Sequence, residues 1–431
     1  MTDMDSRALA RALYDAAVEA ALPVRRLAEH LPPPPRGRII LLAAGKAAGS
    51  MVAAAEAHYL DVVGLPPARL TGLGVARIGY GRATRLAPVV EAGHPVPDQA
   101  GVDATQRIME LAASAGPDDL VLALLSGGGS ANWIAPAGAL TLAEKQQITR
   151  ALLRSGAAIG EINCLRKHLS RIKGGRLAAL AAPARLVTLA ISDVPHDDPS
   201  AIASGPTAPD PTTLADAIAI ATKYYIDLPP SASALLADPA QETPKPGDPM
   251  FDKAIYQIIA RPADSLEAAA GAAVAAGYEA VSLGVDVEGE AREAALAHAA
   301  LTMRMLAQGR RVAILSGGEL TVTVGGKGRG GPNQEYALAL ALALDGLSGV
   351  SAIAGDTDGT DGGGGAASDP AGAFIDGTTA ARARALGLDP AAMLADNDST
   401  GFFERLGDLL TPGPTFTNVN DFRAILVDPQ S

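Results

Sequence analysis

Three runs of uninterrupted apolar residues, each ending abruptly in a small or charged turn, set the strongest limit on what this chain can fold into. Ile39-Ile40-Leu41-Leu42 leads into Ala44-Gly45-Lys46, Leu120 to Leu125 leads into Ser126-Gly127-Gly128-Gly129-Ser130, and Leu186 to Ile191 leads into Ser192-Asp193. A half-exposed strand alternates apolar and polar residues, so a strand that is apolar throughout must be covered on both faces, as in a parallel sheet flanked by helices. Helical spacing between the runs completes a βαβ pattern. The expected class is α/β.

Length divides that architecture in two. A single core stops growing at roughly 250–300 residues, and this chain has 431. The densest interior set of structure breakers runs from Leu228 to Pro249, with Pro229-Pro230 and then Pro244, Pro246, Gly247 and Pro249. A boundary is expected there, giving residues 1–240 and a smaller domain of residues 241–431. Strand and helix patterns alternate again through 255–259, 280–284 and 312–315, which reads as a second βαβαβ unit. Ligands of such sheets sit outside the carboxyl ends of the strands. The site is therefore expected at the glycine turns, in a cleft between the halves.

Charge and composition exclude other classes. A formal charge of −12, with no long Lys/Arg block, lacks the basic face of a nucleic-acid binder. No stretch approaches the roughly 20 apolar residues of a membrane span. At the start, Asp3 and Asp5 precede Leu9, Leu13 and Ala17 at helical spacing, an amphipathic helix without the pattern of a signal peptide. The single cysteine, Cys164, can form no intrachain disulfide and reads as a buried apolar residue. A cytoplasmic protein is expected.

Several segments could carry chemistry. Glycines in Ser126-Gly127-Gly128-Gly129-Ser130 let main-chain N–H groups approach an anion, and Ser316-Gly317-Gly318-Glu319 repeats the theme after another apolar strand. Lys46 lies between a strand and a helix start, where a cation is unfavourable unless an anion joins it. Asp193 sits close to His196-Asp197-Asp198, and Asp356, Asp358 and Asp361 precede four glycines. Such oxygen ligands suit Mg²⁺, and they equally suit turns and helix caps. The most cationic stretch, Asn163 to Arg176, holds Arg166 and Lys173 beside an apolar stripe at helical spacing. The glycine loop from Gly325 to Gly331, carrying Lys327 and Arg329, reads either as a weak dinucleotide fingerprint or as a flexible lid over phosphates.

Taken in order, these segments resemble the MOFRL family of glycerate kinases. The resemblance runs through Gly45-Lys46-Ala47, Glu91 to Asp98, Leu125 to Ala131, Asn163 to Arg176, Ile191 to Pro195, Ser204-Gly205-Pro206, Leu315 to Glu319, Gly330 to Glu335, Ala354 to Gly362 and Thr415 to Asp421. It implies a Rossmann-like parallel-sheet N-terminal domain and a smaller α/β MOFRL domain. It further implies ATP-dependent phosphorylation of D-glycerate at the 2-hydroxyl, with Mg²⁺. On this reading Lys46, Asp193 and Arg329 are catalytic. Ser126, Gly127, Gly128, Gly129, Ser130, Ser316, Gly317, Gly318 and Glu319 bind phosphate. Asn163, Arg166, Lys173, Asn333 and Glu335 face the substrate, and Asp356, Asp358 and Asp361 hold the metal. Pro332 stands where many relatives carry arginine, which leaves Arg329 to serve instead. ATP and D-glycerate are the expected small-molecule partners, a homodimer is the candidate assembly, and neither nucleic acid nor membrane is expected as a partner. The rivals are an NAD(P)H-dependent hydroxypyruvate reductase, which wants a placed acid histidine among His94, His168 and His196, and a catalytically silent acid-binding protein.

Overall fold

The computed structural model describes residues 6–362 and 366–429. Asp3 and Asp5 of the first helix, and the glycines at 363–365, lie outside the described residues.

The first compact unit is Arg26–Ile259. Its strands are β1 (Ile39–Ala44), β2 (Leu70–Arg77), β3 (Val89–Ala92), β4 (Leu120–Leu125), β5 (Arg185–Ile191) and β6 (Ile255–Ala260). They lie in the order β3-β2-β1-β4-β5-β6, the order of doubly wound nucleotide-binding sheets. The pairs β1–β2, β1–β4, β2–β3 and β4–β5 are all parallel. Every residue of β1 and β4 is buried, as their unbroken apolar runs require. Helices close both faces, and a core of Ile40, Leu42, Val121, Ala123, Ile108 and Leu177 runs beneath the sheet. Strand order reverses between β1 and β4, so the turns after these two strands leave the sheet side by side at its switch point.

The second unit is Ala260–Ser431 together with Met1–Arg25. Its strands are β7 (Glu279–Ser282), β8 (Gly289–Glu290), β9 (Val312–Ser316), β10 (Leu320–Thr321), β11 (Val350–Asp356), β12 (Gly372–Asp376), β13 (Leu409–Leu410) and β14 (Asp421–Val427). Six of them form a sheet in the order β13-β12-β11-β14-β9-β7.

Three expectations are revised by this arrangement. The division differs from a cut at residue 240. The helix Ser6–Ala20 buries Leu9, Leu13 and Ala17, as its spacing requires, but against Leu266, Ala273, Phe422 and Leu426 of the second unit. Tyr14 adds a hydrogen bond from its hydroxyl to the Asp356 carbonyl, 2.8 Å away. Residues 255–259, expected to open the second domain, supply instead the last strand of the first sheet, and their alternating exposure suits that edge. Finally, only β7–β9 of the second sheet is a parallel pair with a crossover helix, Ala291–Ala307, while β11–β12, β11–β14, β12–β13 and β14–β9 are antiparallel. The segment between β11 and β12 contains no helix among its described residues, and without such a crossover strands pair antiparallel. Among the described residues no helix is long and apolar enough to cross a membrane.

Candidate functional site

The switch point of the first sheet is built by two interlocked turns. After β1, Gly45 takes φ +109°, and a Cβ there would lie 2.4 Å from both the carbonyl and the hydroxyl of Ser126. The turns join through Lys46 N–H donating to the Gly127 carbonyl at 2.8 Å and Ala47 N–H donating to Ser126 Oγ at 3.0 Å. This contact fixes Lys46 immediately before the helix Ala48–Ala57. After β4, Gly128 adopts φ +84°, a conformation that costs a residue with Cβ about 1–2 kcal/mol. Its α-carbon faces His94 and Lys46, with His94 Cδ2 3.2 Å and Lys46 Cγ 3.5 Å from where a Cβ would stand. Within the described residues the N–H groups of Gly127 and Gly128 have no acceptor. Backbone donors without acceptors beside a lysine are the raw material of an anion site.

Cationic side chains gather here. Burial, then Lys46, Arg77 and Arg166, hold the His94 imidazole down to about 3 against its usual 6.5, so it stands neutral. Lys173 is buried and donates to the carbonyls of Ser130, at 2.6 Å, and Trp133, at 2.9 Å. Its pKa is pushed well below the usual lysine value by burial and by Lys145 and Arg166. Asn163 joins the same neighbourhood. Its Oδ1 accepts from Ser204 Oγ at 3.0 Å, and Ser204 Oγ lies 2.7 Å from Ser130 Oγ. Ser204 and Ala203 hold φ of 60° and 51°, strained values that persist where surrounding structure enforces them. Asp193 follows β5 on the neighbouring strand end. With Asp198 it pushes the largely buried Tyr256 phenol upward, after the larger effect of burial itself. Lys46, Ser126 to Ser130, Asn163 and Lys173 thus share one hydrogen-bonded neighbourhood.

His94 was read only as a candidate acid of the rival reaction, and two further residues of this unit were not singled out from the sequence. Arg77, the buried last residue of β2, lies in unremarkable surroundings. Lys145 did carry a signal: in the helix Leu142–Arg154 it falls on the buried stripe with Ile148, Thr149 and Leu152, where a solvated lysine has no place. The remaining candidates are structural. His168 is buried with Nδ1 2.9 Å from the Cys164 carbonyl and Nε2 3.0 Å from Glu242. Burial pushes the Cys164 thiol up to about 11, leaving it the inert apolar residue expected.

The second unit places its candidates differently. Asp361 accepts from the main-chain N–H groups of Asn333 at 3.0 Å and Gln334 at 2.9 Å, capping the helix Pro332–Ala343 from 28 residues downstream. Burial and the nearby Asp421 charge raise its pKa to about 7. Both its oxygens are therefore committed to amides, a role that competes with metal ligation. Asp358 Oδ1 accepts from Thr360 N–H at 2.7 Å, and Asp356 Oδ1 from Asp358 N–H at 2.9 Å, the turn geometry of such residues. Among the described residues no group of three His, Cys, Asp or Glu side chains is placed to hold a metal ion. Asn333 bridges Asp361 and Asp421, and Glu335 is buried in an ion pair with Arg292 at 2.6 Å. Gly317 donates to the Gly284 carbonyl at 2.9 Å and accepts from Arg423 at 2.8 Å.

The glycine loop is not a free lid. Hypothetical Cβ atoms at Gly326, Gly328, Gly330 and Gly331 would meet Asp396, Asp398, Ser399 and Asp361 at 2.1, 2.4, 2.0 and 2.4 Å. Asn397 Oδ1 also accepts from the N–H groups of Gly325 and Gly326. These glycines serve close approach rather than mobility. Arg329 is exposed and pairs with exposed Glu404 at 3.1 Å.

Comparison with known proteins agrees across the whole length. Residues 9–237 match a domain of unknown function (DUF4147), and residues 312–421 match the MOFRL family. An Agrobacterium vitis protein named "Putative hydroxypyruvate reductase" is 48% identical, over 99% of this chain and 95% of its own length. A D-glycerate 2-kinase of Thermotoga maritima is 39% identical, over 98% of both chains. The crystal structure of a glycerate kinase from Thermotoga maritima superposes with a TM-score of 0.84, at 38% identity, covering 97% of this chain and 98% of that one.

Proposed function

The chain belongs to the MOFRL family of glycerate kinases, and from that premise we infer that it transfers the γ-phosphoryl group of ATP to the 2-hydroxyl of D-glycerate, giving 2-phosphoglycerate and ADP. The observation that carries this reading is the switch point itself: Lys46 locked by its backbone to the Ser126–Ser130 turn, next to two amides without acceptors among the described residues. Phosphoryl transfer asks a protein mainly for positioning and charge neutralisation. Lys46 supplies a positive charge and the turn supplies N–H donors for phosphate oxygens. Asp193 takes the proton of the attacking hydroxyl as the new O–P bond forms and the bond from the γ-phosphorus to the β–γ bridging oxygen breaks. Ser316, Gly317, Gly318 and Glu319 remain candidates for further phosphate contacts, with Arg329 as a second cation. Mg²⁺, when bound with ATP, would neutralise phosphate charge. Hard carboxylate oxygens suit it, and Asp356 and Asp358 fit a site completed by substrate phosphates better than Asp361, whose oxygens cap a helix.

A reductase reading has a specific obstacle here. The first turn of the Rossmann-like sheet, Ala43-Ala44-Gly45-Lys46, carries no Gly-x-Gly-x-x-Gly, and the one such run, at 326–331, is packed against Asp396 to Ser399. His94 is held neutral by its surroundings, which unfits it as a general acid near neutral pH.

The test is a ³¹P NMR spectrum of the reaction with D-glycerate, ATP and Mg²⁺. A phosphate ester on C2 couples to one carbon-bound hydrogen and gives a doublet. A triplet would move the reaction to the 3-hydroxyl, and no new ester signal would overturn the kinase reading.

A further inference from the structure

Beside the switch point lies a small cavity of about 20 Å³ lined by Pro95, Ser130, Lys145, Arg166 and Lys173 among others, with no carboxylate in its wall. Three cationic side chains around one void, with no anion, is an incomplete electrostatic arrangement. Lys145 donates to the carbonyls of Arg166, at 3.3 Å, and Leu169, at 3.0 Å, at the C-terminal end of the helix Ile159–His168. Lys173 donates to two carbonyls as well. An ammonium group has three donors, so each lysine keeps one in reserve. The Arg166 guanidinium has no hydrogen-bond partner among the described residues, and burial lowers its pKa. Burial and Arg166 push Lys145 down to about 7, a further sign that its charge is uncompensated. Helix-end carbonyls explain part of the placement of Lys145, but they do not explain why a planar five-donor group faces the same void.

We propose that this pocket takes the carboxylate of the hydroxy acid, with Arg166 as a bidentate fork and the remaining N–H groups of Lys145 and Lys173 completing the cradle. The proposal rests on the kinase reading and adds a substrate rule to it. A void of this size accepts about one water-sized group, the end of a small acid and not a nucleotide. Ser130 belongs both to the pocket wall and to the glycine turn, so a carboxylate anchored here holds the hydroxyl on the adjacent carbon closest to that turn. The pocket thereby favours the 2-hydroxyl over the 3-hydroxyl, and it recognises small 2-hydroxycarboxylates as a class.

The experiment compares wild type with Arg166→Gln, Arg166→Lys and Lys145→Met. Steady-state kinetics read the KM for D-glycerate and for ATP separately, and thermal shift reads D-glycerate binding without ATP. Truncating one partner of a buried charged pair should raise the KM for D-glycerate about 100-fold in Arg166→Gln, less in Arg166→Lys, and leave the KM for ATP within about threefold. D-lactate should compete with D-glycerate, and glycerol should not. A merely structural Lys145 would lower the melting temperature of Lys145→Met and leave the KM for D-glycerate in place, which would overturn its part in the cradle. Unchanged KM for D-glycerate in Arg166→Gln would overturn the pocket while leaving the kinase reading intact. Absence of glycerate-dependent ADP in wild type would sink the kinase reading alone, provided that the D-glycerate thermal shift is present in wild type and lost in Arg166→Gln; its persistence in that variant would sink the pocket too.

Discussion

Two strand-end turns of this protein read almost identically and spend their backbone groups to different extents. Ser126-Gly127-Gly128 follows β4 and Ser316-Gly317-Gly318 follows β9, both after buried apolar strands and both with the last glycine at positive φ, +84° and +99°. In the first, two N–H groups find no acceptor among the described residues, and Lys46, Lys173 and His94 crowd round. In the second, the Gly317 N–H and the carbonyls of Gly317 and Gly318 are taken up by Gly284, Arg423 and Asp421, one N–H, that of Gly318, is left without an acceptor among the described residues, and a Cβ on Gly318 would lie 2.2 Å from the Val287 carbonyl. The difference teaches that a glycine turn marks a close approach, and only its unspent donors say whether a neighbouring segment or a ligand makes it.

Substitutions can break this comparison. Lys46→Ala should produce the largest effect, lowering kcat/KM by about 10³-fold, or about 4 kcal/mol of transition-state stabilisation. Its melting temperature should stay close to that of wild type, since the side chain is only half-buried. Equal loss of fold and turnover would count against Lys46 acting on the substrate. The paired variants Gly128→Ala and Gly318→Ala sharpen the contrast further. Gly318→Ala should destabilise by about 3 kcal/mol through strain and a backbone clash, measured by urea unfolding. Gly128→Ala meets only side-chain atoms at 3.2 Å or more, so it should cost about 1–2 kcal/mol of stability and at least tenfold in turnover. The reverse ranking would mean that the two turns have been assigned the wrong way round.

A pH experiment probes the burial and the cationic surroundings of the first turn. Unfolded His94 titrates near 6.5, whereas in the fold it is held to about 3. The unfolded chain then binds a proton that the folded chain refuses. The stability associated with His94 is complete above pH 6.5 and is lost as pH falls toward 3, by about 2 kcal/mol between pH 7 and 5. His94→Gln should remove that share of the acid sensitivity; an unaltered profile would show that neither burial nor the surrounding charges hold His94 down. The smallest effect is expected at Arg329→Ala. An exposed pair with Glu404 contributes less than about 1 kcal/mol, and turnover should fall no more than about tenfold if the charge acts only at a distance.

What the sequence made legible follows from the range of the interactions involved. The strands β1, β4 and β5 and their turns could be read because apolar continuity and glycine are local signals. The partner of each element could not. Tyr256 to Ile259 looks like any strand, and its place at the edge of the first sheet depends on strands dozens of residues away. The helix Ser6–Ala20 displays its apolar face without saying which sheet covers it. Asp361 looked like a metal ligand because a carboxylate in a glycine-rich loop and a cap for a distant helix have the same local sequence. Likewise, the glycines at 326–331 suggested mobility, although they are needed because Asp396 to Ser399 leaves no room for side chains. Of the candidate site, Lys46, His94, the Ser126 turn and the Asn163–Arg176 stretch could be picked out as candidates, and the buried Arg77 and Lys145 required the fold.

The most direct measurement follows ADP release with D-glycerate and ATP–Mg²⁺, and NADH oxidation with hydroxypyruvate, in wild type and Lys46→Ala side by side. ADP release that depends on D-glycerate is expected in wild type, falling by about 10³-fold in Lys46→Ala, with no NADH oxidation in either protein. NADH oxidation by hydroxypyruvate without glycerate-dependent ADP would contradict the assignment of Lys46 and the Ser126 turn to phosphoryl transfer.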